Sequence, residues 1–473
     1  MNIDIKNLRN NSAVISGSIN ESVSLSMSLK LVVIATKIIK ISTPRAGYLF
    51  GKGSTLNILN EIFNKKKLSL RNIKIDNAEI GALPMMVHVE GTSKKYSSVM
   101  FEDIVENDLL GSGYFNILDS SSVKNSLSNL DTQYALWALS GSNYFLKANI
   151  FDESGNEFIK FTLHNVIKKE VMVSYKINLD KNNNIRKVSH KISNVIFESI
   201  TGIKGIFDTK IAYISTDKSK KRNIYKLHVA DIDGFNSVAI YKSSKQLMSP
   251  TWSPKNNKIA YVSFENNRPE IFIQTLATGE RVKLINGSLS SSAPAWSPNE
   301  KFMAYTSSVN GNLEIFVHNF RTKNNTRITN SLGIDTEAEW GLKSKKIFFT
   351  SDRNGNPHIY SKLFKKGKAK RITFDGTYNA DANLSSDGKY LSLVHNNGKG
   401  HKIAIYSIKD KFLKVISKGR LDEAPSFAPN GKMVLFASKK LHKGILVATS
   451  NDGRIRKEIE LTGEDVREPI WSH

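Results

Sequence analysis

One self-similarity governs what this chain can fold into. The segments Pro250-Thr-Trp252-Ser-Pro254 and Pro294-Ala-Trp296-Ser-Pro298 match each other. Ala338-Glu-Trp340, Ala382-Asn-Leu384, Pro425-Ser-Phe427-Ala-Pro429 and Pro469-Ile-Trp471-Ser472 continue the series. The key positions 252, 296, 340, 384, 427 and 471 are separated by 44, 44, 44, 43 and 44 residues. A fixed period in the range of roughly 20 to 50 residues marks a repeat architecture, in which each unit buries its apolar face against the next.

Each key position leads through a turn into an alternating strand that begins with Lys: Lys258-Ile-Ala-Tyr-Val-Ser, Lys301-Phe-Met-Ala-Tyr-Thr, Lys346-Ile-Phe-Phe-Thr, Lys389-Tyr-Leu-Ser-Leu and Lys432-Met-Val-Leu-Phe. Loops such as Asn310-Gly-Asn, Asp352-Arg-Asn-Gly-Asn and Asn396-Asn-Gly follow, with residues that tolerate the positive φ of tight hairpins. A third strand comes next (Ile271-Phe-Ile-Gln, Ile315-Phe-Val-His, Ile359-Tyr-Ser-Lys, Ile403-Ala-Ile-Tyr). A fourth (Arg281-Val-Lys-Leu, Thr326-Arg-Ile-Thr, Lys370-Arg-Ile-Thr) closes the unit. Four antiparallel strands per unit predict the blades of a β-propeller.

The ends of the series predict a closed ring. Lys210-Ile-Ala-Tyr-Ile-Ser matches the second strand but has no tryptophan segment before it. Trp471 is a first-strand match with no second strand after it. Pairing the two yields six blades and removes the exposed edges of an open array. The propeller is therefore expected over 208–473, closed by the C-terminal strand.

Residues 71–201 have a different texture and predict a mixed α/β domain. Strands are expected at Arg71–Asp76, Met86–Glu90, Tyr114–Leu118, Tyr144–Ile150 and Phe158–Leu163. One helix places Phe101, Ile104, Val105 and Leu109 on a single face, with Gly111 expected after its end. A short helix is expected near Tyr134–Leu139. A longer one carries Ile185, Val188, Ile192, Val195 and Ile196 and stops at Gly202. Residues 202–207 read as the linker. Residues 1–70, rich in Ser, Asn and Lys, read as an atypical leader, an extension or disorder, and the apolar run Leu31–Thr36 is short for a signal-peptide core.

Composition removes several functions. With no cysteine there are no disulfides, thiolate metal sites or cysteine nucleophiles. No stretch reaches the roughly 20 apolar residues of a membrane span. A net charge of +25 invites nucleic acid, but the lysines are scattered, and no basic helix or zinc-finger spacing accompanies them. No nucleic-acid partner is expected. Gly47-Tyr-Leu-Phe-Gly51-Lys52-Gly53-Ser54 is one residue short between its glycines, and lacks Ser or Thr directly after Lys52, so it is not a phosphate loop. Asp352-Arg-Asn354-Gly-Asn356 has Pro357 and Leu363 where a calcium loop needs Gly and Glu. There is no Gly-x-Ser-x-Gly, and the ten histidines stand singly. No catalytic, cofactor-binding or metal-ligating set is expected, which leaves loops and the central channel as a docking surface.

Several segments go beyond the generic repeat. They are Phe197-Glu-Ser-Ile-Thr-Gly-Ile-Lys-Gly-Ile-Phe-Asp-Thr-Lys-Ile-Ala-Tyr213, Asp231-Ile-Asp-Gly-Phe-Asn, Leu247-Met-Ser-Pro-Thr-Trp-Ser-Pro254, Ile273-Gln-Thr-Leu-Ala-Thr-Gly279, Ser385-Ser-Asp-Gly388 and Leu421-Asp-Glu-Ala-Pro425. In these, residues 71–473 resemble the TolB family, soluble periplasmic proteins of the Tol-Pal system. The resemblance implies a non-enzymatic, monomeric scaffold that docks the lipoprotein Pal at the mouth of its channel and TolA through its N-terminal segment, supporting outer-membrane integrity and constriction at division. By position, the Pal site would comprise Met248, Ser249, Ser290, Ala293, Thr336, Glu337, Asn379, Asp381, Asp422, Glu423, Arg467 and Glu468. The TolA segment would comprise Arg71, Ile73, Ile75 and Asp76. The competing readings are a propeller hydrolase or peptidase gate and a glycan-binding propeller. The first needs histidines beside the mouth carboxylates in repeat register. The second needs aromatics in mouth loops that instead carry Ser, Asp, Glu and Asn.

Overall fold

The computed structural model describes residues 81–473 apart from 92–95, 121–129, 180–183, 219–221, 286–289, 310, 460 and 462–463. The strand expected at 71–76 and the segment 1–70 lie outside the described residues.

The α/β portion runs β1 (Leu83–Gly91), α1 (Ser98–Ser112), β2 (Phe115–Leu118), α2 (Leu130–Leu139), β3 (Tyr144–Glu153), β4 (Asn156–Asn165), β5 (Glu170–Leu179) and α3 (Ile185–Thr201). Its sheet has the order β2-β1-β3-β4-β5, with β1 parallel to both neighbours and the rest antiparallel. One face is covered by α1 and α3, whose Phe101, Val105, Leu109, Val188, Ile192 and Ile196 are fully buried with Val87, Leu146 and Phe161. The other face is covered by α2, where Trp137 stacks on Phe145 at 4.3 Å between ring centroids.

Two details differ from expectation. The helix α1 runs through Gly111 and stops at Gly113 (φ 71°), whose N–H bonds to the Leu110 carbonyl. A Cβ on Gly113 would lie 2.3 Å from Ile455 Cδ1, so this stop is set by close packing on the propeller as well as by the left-handed turn. The strand β5 had no counterpart in the sequence reading, although Val171, Val173, Tyr175 and Ile177 alternate through it. The segment 202–207 is pinned by both bodies. Phe207 belongs to the α/β core and Ile206 to a propeller core, and the Phe207 N–H donates to Asn194 Oδ1 at 2.8 Å.

The rest forms a six-bladed β-propeller of four-stranded antiparallel sheets. Blade I takes its inner strand, Asp465–Trp471, from the C-terminus and adds Lys210–Asp217, Ile224–Asp231 and Val238–Ser243. Blades II to VI follow in order, with inner strands Leu247–Trp252, Ser291–Trp296, Asp335–Trp340, Tyr378–Leu384 and Glu423–Phe427. Every key residue faces the same register partner: Trp252 opposes Ile259, Trp296 Met303, Trp340 Ile347, Leu384 Leu391, Phe427 Val434 and Trp471 Ile211.

An inner strand pairs on one side only, so its other edge needs partners elsewhere. The repeat supplies them across blades. Glu339 Oε1 accepts the Leu384 N–H at 3.0 Å, Asn383 Oδ1 the Phe427 N–H at 2.8 Å, and Ser426 Oγ the Trp471 N–H at 2.9 Å. At two other seams an indole donates instead: Trp252 Nε1 to the Ile470 carbonyl at 3.3 Å and Trp340 Nε1 to the Ala295 carbonyl at 3.1 Å. Between blades II and III, Trp296 Nε1 finds no acceptor among the described residues; the Ser291 N–H donates to the Pro269 carbonyl at 2.9 Å and the Ile271 N–H to Ser291 Oγ at 3.3 Å, beside apolar contacts of Val262 and Ile273 with Met303 and Tyr305. Ser426→Ala is expected to cost about 1 kcal/mol, the net value of one such bond, measurable as a lower urea midpoint with unchanged slope.

Candidate functional site

All six inner strands carry a β-bulge at the same repeat position. In each, two residues oppose one: Ser249 and Pro250 face Tyr261, Glu337 and Ala338 face Phe349, and Glu468 and Pro469 face Tyr213. The first bulge residue is left-handed in every blade: Ser249 (φ 48°), Ala293 (46°), Glu337 (54°), Asp381 (52°), Ala424 (52°) and Glu468 (48°). A non-glycine residue there is strained by about 1–3 kcal/mol, and such strain persists where surrounding structure enforces it. A bulge re-aims side chains, and here six of them turn toward the central channel. Proline follows the bulge residue in blades I, II, III and VI, where its missing N–H costs nothing. That Pro two residues before the key aromatic was the readable sign of a bulge.

The channel encloses a cavity of about 670 Å³ lined by the bulges and the residues beside them. Its lining includes Glu337, Glu339, Asp381, Glu423 and Glu468 and, among the described residues, no Lys or Arg, in a chain with 68 basic and 43 acidic residues. Charge is thus segregated: the acids gather in the channel while the chain as a whole is cationic.

The carboxyls there are held by the ring itself. Glu337 Oε2 accepts the Thr350 hydroxyl at 2.7 Å and the N–H of the next bulge residue, Asp381, at 2.9 Å. Glu468 repeats the second of these contacts between blades I and II, accepting the N–H of the next bulge residue, Ser249. Burial in the narrow channel pushes Glu339 and Glu468 up to about 7, with Glu423 and Glu337 adding repulsion on Glu468. Glu337 and Glu423 are likewise raised by burial. Asp381 stands well above the ordinary range, through burial first and then through Glu337, Glu468, Glu423 and Glu339. Glu339 and Glu468 therefore titrate near neutral pH, and the wall favours an incoming hydrogen-bond donor or cation over an anion.

Of the expected docking residues, the structure gathers Met248, Ser249, Ala293, Glu337, Asp381, Glu423 and Glu468 on the cavity wall. Two are corrected. Asn379 is fully buried, bonded to the Asp375 carbonyl at 2.7 Å and to His358 and His395. Asp422 borders the channel, but its carboxylate turns inward to Ser438 at 2.6 Å, Ser417 at 2.5 Å and the Gly419 N–H at 3.1 Å. Both occupy the repeat position of Leu247, Ser291, Asp335 and Val466, which is buried in every blade. Ser290, Thr336 and Arg467 are half-buried outside the cavity wall; Thr336 bonds to Thr306 at 3.2 Å. The sequence reading missed Glu339, Asn383 and Ala424, which counting by the period from Glu337 and from Ser426 would have found. Arg71, Ile73, Ile75 and Asp76 lie outside the described residues.

Comparison with known proteins follows the same division. Residues 197–473 match the family model for the TolB beta propeller domain, and residues 71–172 match that for the TolB amino-terminal domain. The chain is 46% identical over 396 residues to the Tol-Pal system protein TolB of Xanthomonas euvesicatoria pv. vesicatoria (strain 85-10), covering 83% of this chain and 89% of the relative. It is 48% identical over 372 residues to the protein of the same name from Xanthomonas oryzae pv. oryzae (strain PXO99A), covering 78% and 84%. A crystal structure of TolB from Acinetobacter baumannii superposes with a TM-score of 0.76 at 35% identity, covering 83% of this chain and 96% of that one.

Proposed function

The chain belongs to the TolB family, and from that membership we propose that it is a non-enzymatic, monomeric docking protein of the Tol-Pal system, working in the periplasm. In this reading the propeller channel receives the lipoprotein Pal, and the segment around Arg71, Ile73, Ile75 and Asp76 engages TolA. The pair of contacts would support outer-membrane integrity during constriction. No described helix is long and apolar enough to cross a membrane.

The observation that carries the reading is the set of six bulges. Strained backbone repeated at one height of the ring presents Ser249, Glu337, Asp381 and Glu468 to whatever enters the channel. A carboxyl that already accepts an N–H from the neighbouring blade is positioned before any partner arrives, which lowers the ordering cost of binding. Met248 and Glu423 extend the same wall.

Glu337→Lys places a cation among the channel acids and is expected to weaken binding of the soluble domain of Pal by roughly tenfold or more, about 1.4 kcal/mol. Titration calorimetry on the full chain measures it, with Glu337→Gln as the variant that keeps shape and most hydrogen bonding. Equal affinity for wild type and Glu337→Lys removes this residue from the site. Loss of all binding to a folded wild type removes the channel reading itself.

A further inference from the structure

Away from the channel, a buried ionic cluster joins α3 and α1 to blade I. Arg186 and His190 stand one helical turn apart on α3 and point the same way. Arg186 Nε bonds Asp231 Oδ2 at 3.0 Å, its Nη2 bonds Asp233, and its guanidinium stacks 4.2 Å from the Phe235 ring centroid. His190 Nδ1 meets Asp108 Oδ2 of α1 at 2.7 Å. Lys210, at the start of the second strand of blade I, bonds the other oxygen of Asp231, and Asn236 Nδ2 donates to Asp231 at 2.8 Å.

The ion pairs leave one of the carboxylates to the histidine. Asp108, Asp231 and Asp233 are three carboxylates, all less than 9% exposed. Arg186 pairs with Asp231 and Asp233 and Lys210 with Asp231, while Lys457 lies over Gly111 one turn along α1 from Asp108. Among the described residues Asp108 has one ion-pair partner, His190, which is 3% exposed. Its Nε2 has no hydrogen-bond partner among the described residues, and a ring nitrogen lies within 4.8 Å of oxygens of both Asp231 and Asp233. A neutral ring that donates from Nδ1 to Asp108 would aim a lone pair into this acidic surround. A protonated ring aims an N–H into it instead. The same three residues could in principle ligate a metal ion, but Arg186 already fills the space between the two propeller carboxylates.

We propose that His190 is the third cation of a proton-gated latch between the α/β domain and the propeller, closed when the imidazole is protonated and loosened when it is neutral. Burial alone would lower the His190 value, and Arg186 opposes the charge. The charge of Asp108, its hydrogen bond and Asp233 outweigh both and hold it above the ordinary imidazole value. The closed junction binds the proton more tightly than the open one. Its contribution is therefore complete below about 6.5, the ordinary imidazole value, and is lost as pH rises through the closed-state value.

Hydrogen exchange on the full chain between pH 6 and 9, corrected for intrinsic rates, tests this in α3 and in residues 231–236. The wild type is expected to open more readily as pH rises, by up to roughly tenfold per pH unit, the limiting slope for one proton. His190→Gln is expected to be open already at pH 6 and to lose the slope. Asp108→Asn removes one anion, so it should flatten the slope even if His190→Gln folds poorly. Nitrogen shifts of the wild-type ring at pH 6 should report both nitrogens protonated. A flat wild-type profile, a slope that survives in Asp108→Asn, or a neutral ring at pH 6 overturns the latch. So does stoichiometric zinc binding that depends on His190, which would make the cluster a metal site.

Discussion

Truncation after Glu464, which deletes the inner strand of blade I, is expected to abolish cooperative unfolding of the propeller. The deleted strand pairs with Lys210–Asp217 from Asp465↔Thr216 to Trp471↔Ile211. Beyond it, the Ser472 N–H donates to the Lys210 carbonyl at 2.9 Å and the Lys210 N–H to Ser472 Oγ at 3.0 Å. His473 is tied to Asn256 of blade II in both directions, at 2.9 and 2.6 Å. Without these contacts the second strand of blade I becomes an open edge, and blades VI and I lose their seam. The point substitution Trp471→Ala retains the strand and isolates the anchor. The indole is 4% exposed and donates to Thr209 Oγ1 at 2.8 Å, so the loss should be about 3–5 kcal/mol. Urea denaturation followed by tryptophan fluorescence and far-UV circular dichroism measures both. A truncated chain that still unfolds in one sharp transition would mean that five blades and a fragment suffice.

The second large effect lies at a buried carboxylate repeated in adjacent blades. Glu314 of blade III is 0% exposed. It accepts from Arg327 Nη2 at 2.8 Å, Thr329 Oγ1 at 2.6 Å, the Ser331 N–H at 2.9 Å and Asn312 Nδ2 at 3.2 Å. Glu314→Ala takes the acceptor from all four donors at once and is expected to cost about 3–5 kcal/mol. Glu270 holds the same position in blade II. Burial would raise it, but Lys283, Asn266 and Arg268 hold it down at about 2. Its contribution is therefore full above the ordinary glutamate value of about 4.3 and is lost as pH falls toward about 2. In Glu270→Gln, stability measured between pH 5 and 2 should fall less steeply than in the wild type. An equal slope in the two proteins would show that this group does not govern the acid limb.

The ring was legible because its determinant is periodic. Trp252, Trp296, Trp340 and Trp471 recur at one spacing, and the unmatched strands at Lys210 and Trp471 point to each other. The carboxylate just described was harder to see. The sequence reading began the third strands at Ile271 and Ile315 and left out Glu270 and Glu314, since a charged residue before an apolar run reads as a solvated end. Burial in the folded ring reverses that meaning. Two of the expected docking residues turn their polar atoms away from the channel for a related reason. Asn379 and Asp422 have the polar side chains of a loop, and a bulge shifts which positions face the channel, so counting polar residues before each key aromatic landed one place early. The domain latch was out of reach of any local pattern, because Asp108, His190 and Asp231 meet only when two domains pack. β5 was readable from its alternation and was passed over.

The seam between blades II and III is fastened by different atoms from the others. Elsewhere a bond joins one inner strand directly to the next. Here the Ser291 N–H donates to the Pro269 carbonyl at 2.9 Å, the Ile271 N–H to Ser291 Oγ at 3.3 Å and the Lys255 N–H to Glu300 Oε1 at 3.1 Å. Every seam of the ring therefore carries a directional bond, and no blade can slide along its neighbour without breaking one. A closed ring cannot deform at one joint without the others adjusting. The propeller is in this sense a riveted hoop. Its bore is held at one diameter before an occupant arrives, so fit has to come from the side chains on the wall.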